Sequence, residues 1–249
     1  MKVSIITIAY NSEATIEATI RSVISQSYTD IEYIIVDGLS KDATMSIIDK
    51  YRPQIAKVIS ERDNGIYDAM NKGVSLASGD IIGILNSDDF YADSDVIKDV
   101  VALFEKTQCD ACYADLVYVD RNDEQKILRT WISGEYRPGA FLKGWMPPHP
   151  TFFVKADVYK RFGAYNTTLR SSADYEFMLR VLHKHQVKVA YLNRIITKMR
   201  AGGQSNVTLK NRLKANREDR MAWRLNGLRP RPWTLILKPL SKLQQFFKR

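Results

Sequence analysis

The sequence predicts an α/β fold in which a mostly parallel β-sheet is covered by helices on both faces. Three observations predict it. Over residues 1–93, short and nearly continuous apolar runs alternate with stretches of helical periodicity. The runs carry no polar positions at every second residue, so neither face of the sheet can meet water. Each run also ends on polar or acidic residues, which gathers such groups at the carboxyl ends of parallel strands, where open α/β sheets bind ligands.

VSIITIA, from Val3 to Ala9, reads as the first strand. Asn11 or Ser12 can cap the helix that follows, because Ile16, Ile20, Val23 and Ile24 recur at helical spacing. IEYIIVD, from Ile31 to Asp37, is the second strand, and Asp42 can cap a helix bearing Met45, Ile48 and Tyr51. A third run, Ala56 to Ser60, precedes a helix striped by Ile66, Ala69, Met70, Gly73, Val74 and Ala77. DIIGIL, from Asp80 to Leu85, is the fourth strand.

The pattern changes after Asp93. A helix from Asp95 to Thr107 leads into ACYADLVYVD, a polar turn at 121–124 and QKILRTW, together an antiparallel hairpin. MPPHP, from Met146 to Pro150, must be a stiff non-helical loop, since each proline restricts itself and its predecessor. TFFVK, a short helix at Asp157 to Phe162 and a stronger one at Ala173 to His185 follow. Lys188 to Arg200 reads as two short strands, and Ser205 to Asn226 as a polar helix.

Composition narrows the function. The chain has 249 residues, 45% hydrophobic and 26% charged, the profile of a globular protein of one large domain. No uncharged apolar run is long enough to span a bilayer and no signal peptide is evident, so an integral anchor and secretion are not expected, and the cytoplasm is the expected compartment. With Cys109 and Cys112 the only cysteines, a disulfide scaffold and a four-thiolate zinc site are excluded. Both thiols read as packing residues. His183 and His185, two apart on a helix, cannot share a cation.

The net charge of +9 is not spread evenly. From Leu209 to Arg249 there are twelve Lys and Arg against Glu218 and Asp219, while residues 1–208 hold 25 basic and 26 acidic groups. The body is neutral and the end of the chain carries the excess, unlike a nucleic-acid binder with a basic face.

The candidate site residues lie on the polar rim: Thr7 to Asn11, Asp37, Glu61 to Asn64, and Asn86 to Asp89. Adjacent Asp88 and Asp89 repel one another, and a divalent cation shared with substrate phosphates would offset that repulsion. No Walker loop and no G-x-G-x-x-G pattern is present, which weakens kinase, ATPase and dehydrogenase readings together.

SIITIAYN, YIIVDGLSKDAT, ERDNGIYDAMNKGVSLASGDIIGILNSDD and SADYEFMLR, in this order over about residues 2–205, resemble the family 2 glycosyltransferases of the GT-A fold. They are closest to the bacterial branch that builds surface polysaccharides and glycolipids. The resemblance implies a nucleotide-binding, mostly parallel sheet over 1–93, an antiparallel acceptor-side region over 94–205, and a basic helical extension over 206–249. It implies a nucleotide-diphospho-sugar donor, with a UDP-sugar favoured, and a manganese or magnesium ion. Ile8, Ala9, Tyr10, Asn11 and Asp37 would form the nucleoside pocket; Asp63, Asn71 and Lys72 would wall the donor site.

On the same resemblance, Asn86-Ser87-Asp88 takes the place of the family's D-x-D metal motif, with Asp88 helped by Asp89. Asn86 departs from that pattern, although its amide oxygen can still ligate a hard ion. Asp174 matches the general base that would deprotonate an acceptor hydroxyl for inverting transfer, with Ala173 where its partner acid would stand. Ser171-x-x-Asp174 also resembles a capping box, but the family context puts catalysis ahead. His149, in the stiff MPPHP loop, would face the acceptor or diphosphate.

The Gln-x-x-Arg-Trp signature and transmembrane helices of processive members are absent, which implies transfer of a single sugar. A sugar-nucleotide nucleotidyltransferase is an alternative, but ITIAYNSE offers no glycine- and arginine-rich phosphate loop. A non-catalytic nucleotide-sugar-binding or scaffold subunit is another, since two family acids are substituted. RPRPWTLILKPLSKLQQFFKR mixes apolar and cationic residues as an interfacial segment does, suiting a lipid-linked glycan acceptor at the inner membrane face; a terminal helix packed on the body fits as well. The whole reading requires Asp174 to lie on the same side of the molecule as Asp88.

Overall fold

In the computed structural model, residues 1–202 and 209–241 are described, and the side chains of 209–214 and 239–241 are not. The expectations for Ser205 and for residues 242–249 lie outside the described residues. The first four strands are β1 (Val3–Ala9), β2 (Ile31–Asp37), β3 (Lys57–Ser60) and β4 (Ile81–Ile84), ordered β3-β2-β1-β4 with every pair parallel. The crossover helices are α1 (Ile16–Ile24), α2 (Thr44–Lys50) and α3 (Ile66–Leu76). β1 is buried along its whole length because its two sets of alternate side chains enter two cores. Val3 and Ile5 pack with Ile16 and Ile20 of α1, while Ile6 and Ile8 pack with Ala69 and Met70 of α3.

The sheet continues through strands of mixed direction: β5 (Asp89–Tyr91), β6 (Ala111–Val119), β7 (Ile127–Trp131), β8 (Phe153–Lys155) and β9 (Val189–Arg200). Its order is β3-β2-β1-β4-β8-β6-β9-β5, with β7 paired to β6 as the expected hairpin. β8 runs antiparallel to β4 and β6, and β5 antiparallel to β9, whereas β6 and β9 are parallel. α4 (Val96–Thr107) covers the same face as α1. α5 (Ala156–Phe162), α6 (Ala173–Met178), α7 (Leu209–Leu225) and α8 (Thr234–Ser241) add to the α3 side, where Trp223 of α7 and Leu235 of α8 join the core.

Several local expectations are corrected. Thr15, rather than Asn11 or Ser12, holds the N-cap position of α1, and Ser12 instead offers its carbonyl to the Thr15 and Ile16 N–H groups. Asp42 does serve the start of α2, its Oδ1 accepting from the Thr44 N–H at 3.0 Å. Lys188 to Arg200 is one strand, not two. Asn193 and Arg194 are skipped in register between Ala114↔Leu192 and Asp115↔Ile195, so a bulge replaces the break. The proline loop closes in a 3₁₀ turn at His149–Thr151, fixed where the buried Thr151 hydroxyl bonds the Ala114 backbone. β5 is too short to show a period in sequence.

Candidate active site

The carboxyl ends of β1, β2, β3 and β4 form one rim, and most of the expected residues reach it. Tyr10 projects from the end of β1, 55% exposed. Asn11, at φ +48° in the left-handed region that Asn tolerates, staples two loops: its N–H donates to Ser40 Oγ at 2.8 Å and its Oδ1 accepts from Lys41 N at 2.8 Å. Asp37 is fully buried, and its carboxylate accepts from the Ser40 N–H at 3.1 Å, the Ser40 hydroxyl, and Ser60 Oγ at 2.6 Å. The open acceptor is Asp63. One oxygen takes the Gly65 N–H at 2.9 Å; the other converges with the Tyr10 ring over Gly38, where an added Cβ would stand 2.5 Å from Asp63 Oδ2 and 3.3 Å from Tyr10 Cδ2. Only the bare Gly38 backbone lets the carboxylate and the ring approach it this closely.

Four expected donor residues have other work. Ile8 and Ala9 bury their side chains in the two cores and give the rim only backbone, Ile8 O accepting from Ser87 N at 3.3 Å and Ala9 O from Gly38 N at 2.9 Å. Both amide atoms of Asn71 are spent on the Tyr165 backbone at 2.8 Å each, tying α3 to the loop before α6. Lys72 bonds Glu61 at 2.8 Å and the Arg62 carbonyl at 2.7 Å. Lys72 also lies near enough to Asp63 for that carboxylate, after Glu61 and Asp68, to raise its pKa.

The turn from Asn86 to Asp89 is strongly held. Ser87 Oγ meets Ser12 Oγ at 2.8 Å, and the Thr19 hydroxyl spans the carbonyls of Ser87 and Asp89 at 3.0 and 2.7 Å. The buried Arg200 guanidinium donates to the Asp88 carbonyl at 2.8 Å, pairs with Glu124 and lies over the Phe90 ring at 4.6 Å. Asp88 lies half-buried in the turn, whereas Asp89, opening β5, is fully enclosed. Burial, then the charge of Asp88, pushes the Asp89 carboxyl well up, against the pull of Arg200. Both Asp89 carboxylate oxygens are buried without a hydrogen-bond partner. Among the described residues no three His, Cys, Asp or Glu side chains converge as a metal cage. Asn86 Oδ1, however, is a buried acceptor with no hydrogen-bond donor, and with Asp88 it makes an oxygen donor set suited to a hard cation.

Asp174 reaches the same rim from the second half of the chain. Its Oδ1 accepts from the Tyr67 hydroxyl at 3.0 Å, and its Oδ2 lies 3.5 Å from His149 Nδ1. The other ring nitrogen of His149 is 3.5 Å from Asn86 Nδ2. The proline loop therefore sets one imidazole between Asp174 and the Asn86–Asp88 turn. No capping box forms: Ser172 holds the N-cap of α6 without a side-chain bond, and Glu218 of α7 takes the Arg170 and Ser171 N–H groups at 3.0 and 2.7 Å. Burial and the Asp174 charge push the Tyr67 phenol well up, keeping its proton on the hydrogen bond. Tyr67, Gly38 and Arg200 were not singled out from sequence. An aromatic residue in the first turn of α3 was the available signal for Tyr67.

The remaining candidates stay outside the site. Both cysteines are buried and burial raises their thiols, as packing residues require. His183 packs on Phe141 and Trp223, and His185 on Phe162. No helix among the described residues is long and apolar enough to cross a membrane.

The sequence profile described as Glycosyl transferase family 2 matches residues 4–165. The chain is similar to an uncharacterized glycosyltransferase of Mycobacterium tuberculosis, 33% identical over 186 residues that cover 72% of this chain and 68% of that one. It is similar to a PGL/p-HBAD biosynthesis glycosyltransferase of Mycobacterium bovis, 28% identical with 82% and 78% covered. Among solved structures, its fold matches Staphylococcus aureus TarS 1-349 in complex with UDP-GlcNAc, with TM-score 0.70, 19% identity, and 91% of this chain but 65% of that chain covered. It also matches the mannosyltransferase PcManGT of Pyrobaculum calidifontis in complex with GDP-Man and Mn2+, with TM-score 0.68, 17% identity, and 97% and 69% covered. The fold is that of the GT-A glycosyltransferases.

Proposed function

The chain belongs to family 2 of the glycosyl transferases, and from that premise we propose that it moves one sugar, with inversion, from a nucleotide-diphospho-sugar to an acceptor hydroxyl. The observation that carries the proposal is the convergence of Asp174, His149 and Asn86 on one rim. Tyr10 and Asp63 converge over Gly38, and we assign the slot beside these two side chains to the nucleobase. Asp37 shapes this pocket through Ser40 and Asn11 rather than by its own exposed oxygens. A UDP-sugar is the favoured donor; the TarS complex holds UDP-GlcNAc and the PcManGT complex GDP-Man.

Asp88, with the Asn86 amide oxygen, would hold a divalent cation, manganese or magnesium, and PcManGT carries Mn2+. Such an ion supplies positive charge to the diphosphate. Asp174 takes the acceptor proton as the acceptor oxygen bonds to the anomeric carbon and the nucleoside diphosphate departs from the opposite face. Tyr67 holds the carboxylate in place through Oδ1, leaving Oδ2 toward His149 and the acceptor. With no Gln-x-x-Arg-Trp signature in the sequence, the transfer proposed is of one sugar per encounter. A lipid-linked glycan presented at the inner membrane face is the proposed acceptor, in keeping with a relative named for PGL/p-HBAD biosynthesis.

Family membership sets aside the nucleotidyltransferase alternative. The scaffold alternative is tested by donor hydrolysis: the full chain with Mn2+ should slowly release nucleoside diphosphate from a nucleotide-sugar, and Asp88→Asn should not. Release by neither, alongside unchanged donor binding, would favour the scaffold; equal release by both would overturn the role given to Asp88.

A further inference from the structure

We propose that the outward faces of α7 and α8 form a docking surface for an anionic lipid bilayer. This rests on and deepens the membrane reading above, which covered residues 229–249, by adding α7 and placing the contact on a folded helical pair. α7 buries Asp219, Ala222, Trp223 and Asn226 against the body, a stripe at helical spacing. Its opposite side exposes Met221 and Leu225, and beyond the turn Trp233 and Ile236 stand 50% and 62% exposed. Single exposed apolar side chains need no explanation, but here three recur on two packed helices and a fourth, Trp233, stands just before α8.

Charge identifies the occupant. Arg224, Arg229 and Arg231 are exposed in the same stretch, and Arg231 lies 6.0 Å from the centre of the Trp233 ring. The only carboxylates from 215 to 241 are engaged by the protein: Glu218 with the Arg170 and Ser171 N–H groups, and Asp219 with Lys238 at 2.7 Å. Among the described residues no carboxylate pairs with these three arginines, which stand beside an indole and aliphatic side chains, the mixture that enters the boundary between headgroups and acyl chains. Nucleic acid would use the arginines but not Ile236 or Leu225.

The surface is also coupled to the site. The inner side of α7 grips α6 next to Asp174, through Trp223 Nε1 donating to Tyr175 Oη at 2.9 Å and Asn226 Nδ2 to Glu176 Oε1 at 2.8 Å. A helix with its side chains is about 10–12 Å across. Docking through α7 therefore holds the proposed base roughly one helix diameter from the headgroups, within reach of a sugar on a lipid carrier.

The test is co-sedimentation of the full chain with phosphatidylcholine vesicles, with and without phosphatidylglycerol. Binding should require phosphatidylglycerol and fall with salt. Removing three arginines (R224Q/R229Q/R231Q) should weaken it about 100-fold, at about fivefold per cation, and W233S/I236S at least about tenfold. Both variants should keep the parent's melting temperature and donor hydrolysis. Parent-like vesicle binding by either variant, equal binding to neutral vesicles, or preference for single-stranded RNA overturns the proposal. Loss of donor hydrolysis in the parent, with vesicle binding as expected, would instead strike the transferase reading and leave the surface standing.

Discussion

Asp174→Asn separates proton acceptance from every other role of this side chain. The amide keeps the shape and retains Oδ1 for the Tyr67 hydroxyl at 3.0 Å, so stability should change by about 1 kcal/mol or less. It cannot take a proton from an acceptor. Loss of a positioned general base costs about 10²–10⁴-fold in rate, and nothing at the Tyr10–Asp63 slot is touched. Donor affinity, measured by titration calorimetry with a nucleotide-sugar and Mn2+, should stay within about twofold, because Asp174 meets the rim through His149 and not through the slot. Transfer is read as labelled sugar appearing on a glycolipid acceptor. Tyr67→Phe is the companion variant, leaving the carboxylate but removing one hydrogen bond to it, and should lose about tenfold. Full transfer by Asp174→Asn, or loss of donor binding in step with transfer, would refute the assignment.

Further outcomes follow from the same geometry. Gly38→Ala should push Asp63 out of the slot, since the new Cβ would lie 2.5 Å from Oδ2. Donor KM should rise about 10- to 100-fold, the cost of one charge-assisted hydrogen bond, with kcat nearly unchanged in steady-state kinetics. Glu32 should govern acid stability. Its burial alone would raise its pKa, but Ser4, Ser78 and Lys57 outweigh that and hold it at about 2, below its ordinary 4.5. A carboxyl depressed on folding stabilises the protein fully above 4.5, and that contribution fades as pH falls toward 2. Glu32→Gln should therefore cost about 3 kcal/mol at neutral pH and flatten the acid limb of a urea-denaturation series; an unchanged acid limb would argue against it.

The parallel half of the fold was legible residue by residue. Val3–Ala9 and Ile31–Asp37 are the strands the apolar runs outline, because burial on both faces demands unbroken apolar sequence. Helix patterns at 16–24, 66–76 and 96–107 were legible for a similar reason, as one apolar stripe must face the sheet. The fusion of Lys188–Arg200 into one strand was not, since a bulge depends on the register of the partner β6. The path of α8 through Pro239 depends likewise on what it packs against, with Thr234 bonded to the Leu142 carbonyl and Lys238 to Asp219.

By itself the sequence determined that a polar rim exists and which residues sit near it, because strand ends in a parallel sheet all lie on one side. Which side chains face that rim was decided only by the tertiary structure. Asp88 and Asp89 are neighbours in the chain, but the turn leaves Asp88 half-buried while Asp89, opening β5, is fully enclosed. Asn71 shares a motif with Tyr67, yet helical rotation gives Tyr67 to Asp174, 107 residues away, and Asn71 to a loop. Local periodicity records where a residue lies along an element. Direction and partner arise from contacts between segments far apart in the chain, and those exist only once the chain has folded.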